Sequence, residues 1–158
     1  SKQYPPAYGG INISQFFEIT DTKEKIDFDY LKKIIALYQE RLKKISEITD
    51  FTDFFFKDKL DYPKELLFWK GALEEETNLI LDKLLKMLLK INKTDWSKQN
   101  LKNILMLEAG KLGDRGALLW PLRVALTGKK ASAGPFEIAE ILGKEKTLKK
   151  IKEAKIIL

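Results

Sequence analysis

Few residues in this chain could carry out covalent chemistry. The sequence contains no cysteine and no histidine, which excludes thiol nucleophiles, disulfides, zinc sites built on Cys or His, and imidazole acid–base catalysis. The one run of carboxylates is Glu74-Glu75-Glu76, and adjacent positions on a helix point in different directions instead of flanking one substrate. The residue types therefore favour binding over catalysis, and we expect no catalytic residue and no metal site.

Three glycines at a spacing of three could suggest a phosphate-binding loop. They are Gly110, Gly113 and Gly116. Such a loop follows a strand and ends in Lys-Ser or Lys-Thr, and this segment has neither feature. We interpret the glycines as a helix stop and a turn.

The basic residues give a weak signal for a polyanionic partner. Lysine and arginine together number 29 against 23 acidic residues, a formal net charge of +6. A phosphate backbone attracts any accessible cationic face. The alternative is a lysine-rich but merely solvated surface, and the charge alone does not separate the two.

The spacing of apolar residues predicts an all-α fold. One amphipathic helix is predicted from Phe28 through Ile48, and a longer one from Leu66 to Ile91, because apolar positions recur at three and four in both. Caps, prolines and glycines predict four more helices: from Asp95 or Ser97 to Ala109, from Pro121 to Gly128, from Pro135 to Gly143, and from Thr147 onward.

The chain is predicted to form two helical subdomains. Its first twenty or so residues carry loop punctuation without periodicity. The aromatic block Phe54-Phe55-Phe56 is followed by Asp61 and Pro63, which indicates a turn. We therefore place one subdomain at residues 1–65, with 1–20 irregular, and the second at 66–158. No apolar stretch approaches the roughly 18 residues of a membrane span, and no leader follows Ser1, so we expect a cytoplasmic location and no membrane partner.

Six short segments form a series along the chain. In order they are Tyr38-Gln-Glu-Arg-Leu-Lys-Lys44, Phe54-Phe-Phe56, Asp95-Trp-Ser97, Pro121-Leu-Arg-Val-Ala-Leu-Thr-Gly128, Gly134-Pro-Phe-Glu137 and Leu142-Gly-Lys-Glu145. The series resembles the C-terminal region of bacterial glutamyl-tRNA synthetases, from about Phe28 to the end of the chain. The resemblance implies two helical bundles that hold the anticodon loop of tRNA(Glu), in a usually monomeric enzyme.

The same resemblance implies that the chemistry lies elsewhere in the parent enzyme. In that family an N-terminal Rossmann-type domain performs ATP-dependent aminoacylation with Mg, using two nucleotide-binding motifs. Neither motif is present here, and one depends on histidines. We therefore expect no cofactor in this chain and no aminoacylation by it alone.

The resemblance also assigns roles to two arginines. Arg123 matches the arginine that the family places against an anticodon base, where a guanidinium offers a planar fork of donors. The alternative is an arginine that ties its helix to a neighbouring group. Arg41 matches a position that favours the third anticodon base of tRNA(Glu) over that of tRNA(Gln), and its alternative is a solvated cation beside Lys43 and Lys44.

A loop completes the implied anticodon site. In the family, Ser132, Ala133, Gly134, Pro135 and Phe136 correspond to the segment that contacts the first and middle bases. The family commonly has Pro-Gly-Leu before this phenylalanine, whereas this chain has Ala-Gly-Pro, so its backbone contacts are expected to differ in detail. Phe136 could stack on a base or belong to the core.

The remaining aromatic and basic residues are assigned less specific roles. We expect the large aromatics Phe54, Phe55, Phe56, Trp69, Trp96 and Trp120 to serve mainly in packing. The lysines near the C-terminus, at 146, 149, 150, 152 and 155, are interpreted as a solvated helix face or as nonspecific phosphate contacts. A helical protein-interaction scaffold that has lost RNA contact is the alternative function.

Overall fold

The computed structural model describes residues 16–18, 25–41, 43 and 47–158. These residues are mostly helical, which confirms the predicted all-α class. The helices are α1 (Phe28–Tyr38), α2 (Ile48–Thr52), α3 (Glu74–Leu89), α4 (Lys98–Lys111), α5 (Arg115–Thr127) and α6 (Pro135–Ile156). A short antiparallel pair, β1 (Phe16–Glu18) and β2 (Lys25–Asp27), precedes them. The pair was not predicted, because three residues are too few to show an alternating pattern.

Helix α1 is shorter than the amphipathic helix predicted from Phe28 through Ile48. Asp27 caps it, accepting a hydrogen bond from the Asp29 backbone at 3.0 Å. The helix ends at Tyr38, and Ile48 belongs to α2. Ile35 is 41% exposed, so neighbouring elements cover only part of the apolar face of the predicted helix. Two further apolar residues of that face, Leu42 and Ile45, lie outside the described residues.

The predicted helix from Leu66 to Ile91 is also interrupted. Two short 3-10 turns, Lys64–Leu67 and Trp69–Gly71, come before α3. Lys70 and Gly71 have φ of 50° and 79°, a left-handed conformation that ends regular helix. A periodic apolar pattern cannot reveal such a break, because both sides of it face the same core.

The acidic run Glu74–Glu76 occupies the first turn of α3. Three carboxylates there complement the positive end of the helix dipole. The Glu76 carboxylate also accepts a hydrogen bond from the Leu73 backbone at 2.9 Å, so one amide that has no partner within the helix is satisfied. The run therefore stabilises the start of a helix.

Helices α4 and α5 meet at a tight turn. Ser97 caps α4, as predicted, by accepting from the Asn100 backbone at 3.3 Å. Gly113 turns the chain with φ of 76°. Gly116 lies within α5, where a Cβ atom would come within 2.2 Å of the Trp69 ring. Only Gly113 therefore lies in the predicted turn, since Gly110 lies inside α4 and Gly116 inside α5, where it gives space to an indole.

The prediction that Pro121 opens a helix was wrong. Helix α5 begins at Arg115, and Pro121 lies inside it. A proline there costs one backbone hydrogen bond, but Pro121 is buried with its neighbours, and tertiary packing overrides local propensity. The predicted end is confirmed, since Gly128 adopts φ of 67° directly after Thr127.

Helix α6 consists of two helical arms that meet at Gly143. Pro135 opens the first arm and Gly143 ends it, as predicted, because Gly143 has a non-helical φ of 77° and ψ of 168°. Thr147 does not cap the second arm, which begins before it. It is buried in the second arm, and its hydroxyl donates to the Ala139 carbonyl at 3.4 Å.

One continuous core lies between these helices. Helix α5 packs against α3, α4 and α6, and Tyr38, Phe54 and Phe55 extend the same core toward α1. The indole N–H groups of Trp96 and Trp120 donate to backbone carbonyls, each at 2.8 Å. The division at residue 65 stays a prediction. Among the described residues, no helix is long and apolar enough to cross a membrane.

Candidate nucleic-acid interface

Arg123 lies on the third turn of α5, between the buried residues Leu122 and Val124 in sequence. The start of this helix is fixed by Asp114, whose carboxylate accepts from the Gly116 backbone at 2.8 Å. Arg123 itself is half-buried. Its side chain is therefore held at the surface of the core and faces the loop that joins α5 to α6, residues 129–134, which we call the α5–α6 loop.

The Arg123 guanidinium holds this loop through one nitrogen. Its Nη1 donates to the Ser132 carbonyl at 3.0 Å and to the Ser132 hydroxyl at 2.9 Å, and lies 3.3 Å from the Ala133 carbonyl. The Ser132 hydroxyl in turn donates to the Ala133 carbonyl at 2.8 Å. Within the described part of the chain, Nε and Nη2 have no hydrogen-bond acceptor, so donors of the planar fork remain available.

The loop leads directly into α6. Ala133 is 1% exposed, and its N–H donates to the Tyr38 hydroxyl at 3.4 Å. Gly134 takes the extended N-cap position, and Pro135 follows in the first turn. Phe136 is 9% exposed, which favours its core role over base stacking. The loop is thus bonded to α5 on one side and to α1 on the other.

The start of the loop is bonded to α2. The Lys129 ammonium forms an ion pair with Asp53 at 2.6 Å and also donates to the Asp50 carbonyl. Burial opposes ionisation of Asp53, but hydrogen bonds from Lys129 and Lys57 outweigh it and lower the pKa of the carboxyl. A charged pair therefore anchors the loop where it leaves α5.

Arg41 lies in the turn after α1 and is exposed. Its backbone N–H donates to the Tyr38 carbonyl at 2.8 Å. Burial raises the pKa of the Tyr38 hydroxyl, while the Ala133 N–H and the charges of Arg41 and Arg123 act in the opposite direction. Both arginines are therefore close enough to Tyr38 to act on one hydroxyl, which brings the two predicted base-reading residues to the same region.

Glu137 lies in the first turn of α6, next to the α5–α6 loop, and basic groups compensate its negative charge. Its carboxylate forms an ion pair with Lys98 at 2.9 Å. Burial disfavours the charged form, but the Lys98 hydrogen bond, the bond to its own backbone and the charge of Arg41 together lower the pKa of Glu137. One Glu137 carboxylate oxygen lies 1.9 Å from the position that a Cβ atom at Gly134 would occupy. This carboxylate therefore folds back over the loop.

Comparison with known proteins identifies the family. Residues 12–155 match the family model described as anticodon binding domain. The chain belongs to this family.

Curated relatives of the anticodon-binding domain are much longer proteins. A glutamate–tRNA ligase from Clostridium acetobutylicum is 39% identical over 140 residues, which is 87% of this chain and 28% of that ligase. The Clostridium tetani ligase is 40% identical over 131 residues, 80% of this chain and 26% of that protein. The chain thus spans little more than a quarter of the relatives that it matches.

A solved structure of a related protein has a similar fold in the matching region. The crystal structure of a glutamate tRNA ligase from Elizabethkingia meningosepticum, in complex with its amino acid, aligns with a TM-score of 0.71 and 25% identity. The alignment covers 84% of this chain and 26% of that structure. The resemblance to glutamyl-tRNA synthetases is confirmed.

The lysines of α6 mostly make contacts within the domain. Lys149 pairs with Asp58 at 2.6 Å, and Lys155 pairs with Asp82. Lys150 is buried, and Lys146 lies 5.1 Å from the centre of the Tyr30 ring. Lys146, Lys149 and Lys152 are exposed, as the solvated-face interpretation predicts, whereas Lys150 is not. The contacts of Lys149, Lys150 and Lys155 connect the second arm of α6 to the rest of the domain.

The site also contains residues that were not predicted, among them Tyr38, Lys98 and Glu137. Glu137 stands in the Gly-Pro-Phe-Glu segment and Tyr38 three residues before Arg41, so a weak signal existed for both. Lys98 gave none. Their roles depend on contacts between segments that are distant along the chain, and a single sequence does not contain that information.

Proposed function

We propose that this domain binds tRNA(Glu) through its anticodon loop, as part of a longer glutamate–tRNA ligase. The observation that carries the proposal is the arrangement at Arg123. One guanidinium nitrogen holds the α5–α6 loop, while the other donors have no acceptor in the described part of the chain. Sequence-specific RNA binding targets unstacked bases in loops, and arginine suits their edges and faces.

Each arginine has a distinct role in this proposal. Arg123 positions the loop and donates to one anticodon base. Arg41, exposed in the turn after α1, recognises the third base and disfavours tRNA(Gln), because a donor fork left without acceptors penalises the wrong partner. Ser132, Ala133, Gly134, Pro135 and Phe136 shape the surface for the remaining bases, mainly through their backbone.

The domain contributes binding, and the parent enzyme contributes catalysis. ATP and Mg would be used by the catalytic domain, outside this chain. Docking of the anticodon would orient the distant acceptor end toward that domain, and orientation of reactants is itself a source of rate. We place the enzyme in the cytoplasm, as a monomer.

The first experiment measures binding of this chain to tRNA(Glu) transcripts across a salt series. One transcript has the native anticodon and another is changed at its third base. Arg123→Ala should weaken binding about tenfold, in line with the roughly 1–3 kcal/mol of a base contact. Arg41→Gln should abolish the preference for the native third base.

Arg115→Gln is the matched control. Arg115 is exposed at the first position of α5, and its side chain has no hydrogen bond or ion pair within the described residues. Loss of this charge should reduce affinity slightly and equally for both transcripts. Equal binding of every anticodon, unaffected by Arg123→Ala, would indicate a protein-interaction scaffold instead.

A further inference from the structure

Lys150 is a buried amine that the proposed RNA site does not use. It lies in the second arm of α6 and is 4% exposed. Its Nζ donates to the backbone carbonyl of Lys57 at 3.0 Å. No carboxylate forms an ion pair with it among the described residues. A lysine buried without a paired charge is rare, because transfer of an ammonium group out of water is costly.

A cleft borders the side chain that carries this amine. Its volume is about 150 Å³, a size that in other proteins admits a benzene-sized molecule. It lies between the C-terminal end of α6 and residues 59–62, which precede the 3-10 turn Lys64–Leu67. Its walls are mainly apolar, and they include Leu60, the Tyr62 ring, Ala125 and Ile156. A small apolar group therefore fits beside Lys150.

The surroundings increase the fraction of the amine that is neutral and nucleophilic. Burial is the largest influence and lowers the pKa of Lys150 to about 8, with Glu153 and Asp58 opposing the change and Lys146 and Lys149 adding to it. Tyr62 and Lys59 also border the cleft. Burial raises the pKa of the Tyr62 hydroxyl, so this phenol stays neutral beside the amine.

We propose that Lys150 is an acylation site, which small apolar activated acyl groups reach through this cleft. The amine lone pair attacks the acyl carbonyl, and the new C–N bond replaces the bond to the leaving group. The amine loses one proton to solvent, and the leaving group departs with the electron pair of the broken bond. The product is a neutral amide whose remaining N–H can still donate to the Lys57 carbonyl.

The test uses the folded chain and limiting N-hydroxysuccinimide butyrate, with labelling rates measured per lysine by peptide mass spectrometry. At pH 7, Lys150 should react at least about fivefold faster than the exposed Lys86 and Lys102, because a larger fraction of it is neutral. The advantage should shrink toward pH 10. A polyethylene-glycol ester with the same leaving group should lose the advantage, because its acyl group is too large for the cleft.

Two controls separate the cleft from the local sequence. Lys150→Arg should remove the fast site, whereas Lys152→Arg, on the same helix, should leave it. Unfolding in urea should abolish the preference. A rate at Lys150 below those of Lys86 and Lys102 in the folded chain would overturn the proposal, and so would a preference that survives in urea. Neither outcome depends on RNA binding.

Discussion

The Tyr38 hydroxyl accepts a hydrogen bond from the backbone N–H of Ala133, 95 positions away in the sequence, at 3.4 Å. Arg123 contacts the carbonyl of the same alanine at 3.3 Å. One residue of the α5–α6 loop is therefore bonded to α1 through its N–H and to α5 through its C=O. This arrangement connects the turn that carries Arg41 with the loop that follows Arg123.

Tyr38→Phe should weaken both stability and RNA binding. The Ala133 N–H would be left buried without an acceptor, which costs about 1–3 kcal/mol, and the long bond suggests the lower end of that range. Urea denaturation measures the first effect and tRNA binding the second. Tyr30→Phe is the control, since it removes a bond to the Phe55 carbonyl at 3.1 Å. It should reduce stability similarly but leave affinity unchanged.

Arg123→Lys should abolish recognition of the anticodon base even though the positive charge is kept. A single ammonium can satisfy the Ser132 oxygens, but it has no second nitrogen to offer a base. We expect near-native unfolding midpoints together with a loss of anticodon preference. If Arg123→Lys instead retains the full preference, the guanidinium fork does not read a base and Arg123 has only a positive charge to contribute.

Gly116→Ala should destabilise the domain, whereas Gly110→Ala should not. A Cβ at Gly116 would lie 2.2 Å from the Trp69 ring, which also donates to Asp114 at 3.0 Å. Overpacking of this kind typically costs about 1–3 kcal/mol. Gly110 lies in α4 with nothing within 4 Å of such a Cβ, so alanine there should add up to about 1 kcal/mol. Thermal unfolding of both variants measures the difference.

Asp114→Asn should reduce the acid sensitivity of the fold. Hydrogen bonds from Lys70, the Trp69 indole and the Gly116 backbone lower the pKa of Asp114 to about 2. A carboxyl with a depressed pKa stabilises the folded state above its unfolded pKa of about 4, and this contribution is lost as the pH falls toward 2. Urea midpoints at pH 4, 3 and 2 should therefore decline less steeply in the variant.

Asp95→Asn is the control for this pH series. The Asp95 carboxylate is exposed and makes no hydrogen bond or ion pair among the described residues. Its replacement should leave the slope unchanged. The same slope in wild type and Asp114→Asn would mean that the three donors do not favour the ionised form of Asp114.

The sequence predicted fold class and caps better than helix boundaries. Ser97, Gly128 and Pro135 act through local backbone chemistry, so their positions were correct. Pro121 was misassigned because local propensity predicts a helix start there, whereas burial keeps it inside α5. Gly143 does end the first arm of α6, as predicted.

For the candidate site, too, the sequence predicted some residues and missed those that depend on packing. The resemblance pointed to Arg123 and Ser132, and the structure brings them within hydrogen-bonding distance. It did not point to Tyr38 or to the Glu137–Lys98 ion pair, because these depend on where α1 and α4 pack against the loop. The RNA contacts of the seven predicted residues stay a prediction for the binding experiment.

The hydrogen bonds around Ala133 also affect how fast a ligand can bind. Ordering one backbone residue costs roughly 1–2 kcal/mol in conformational entropy, and the Arg123 and Tyr38 contacts impose that order when the chain folds. A nucleic acid that docks on this loop does not have to rigidify it. We therefore expect the association rate to be limited by splaying of the bases and not by rearrangement of the protein.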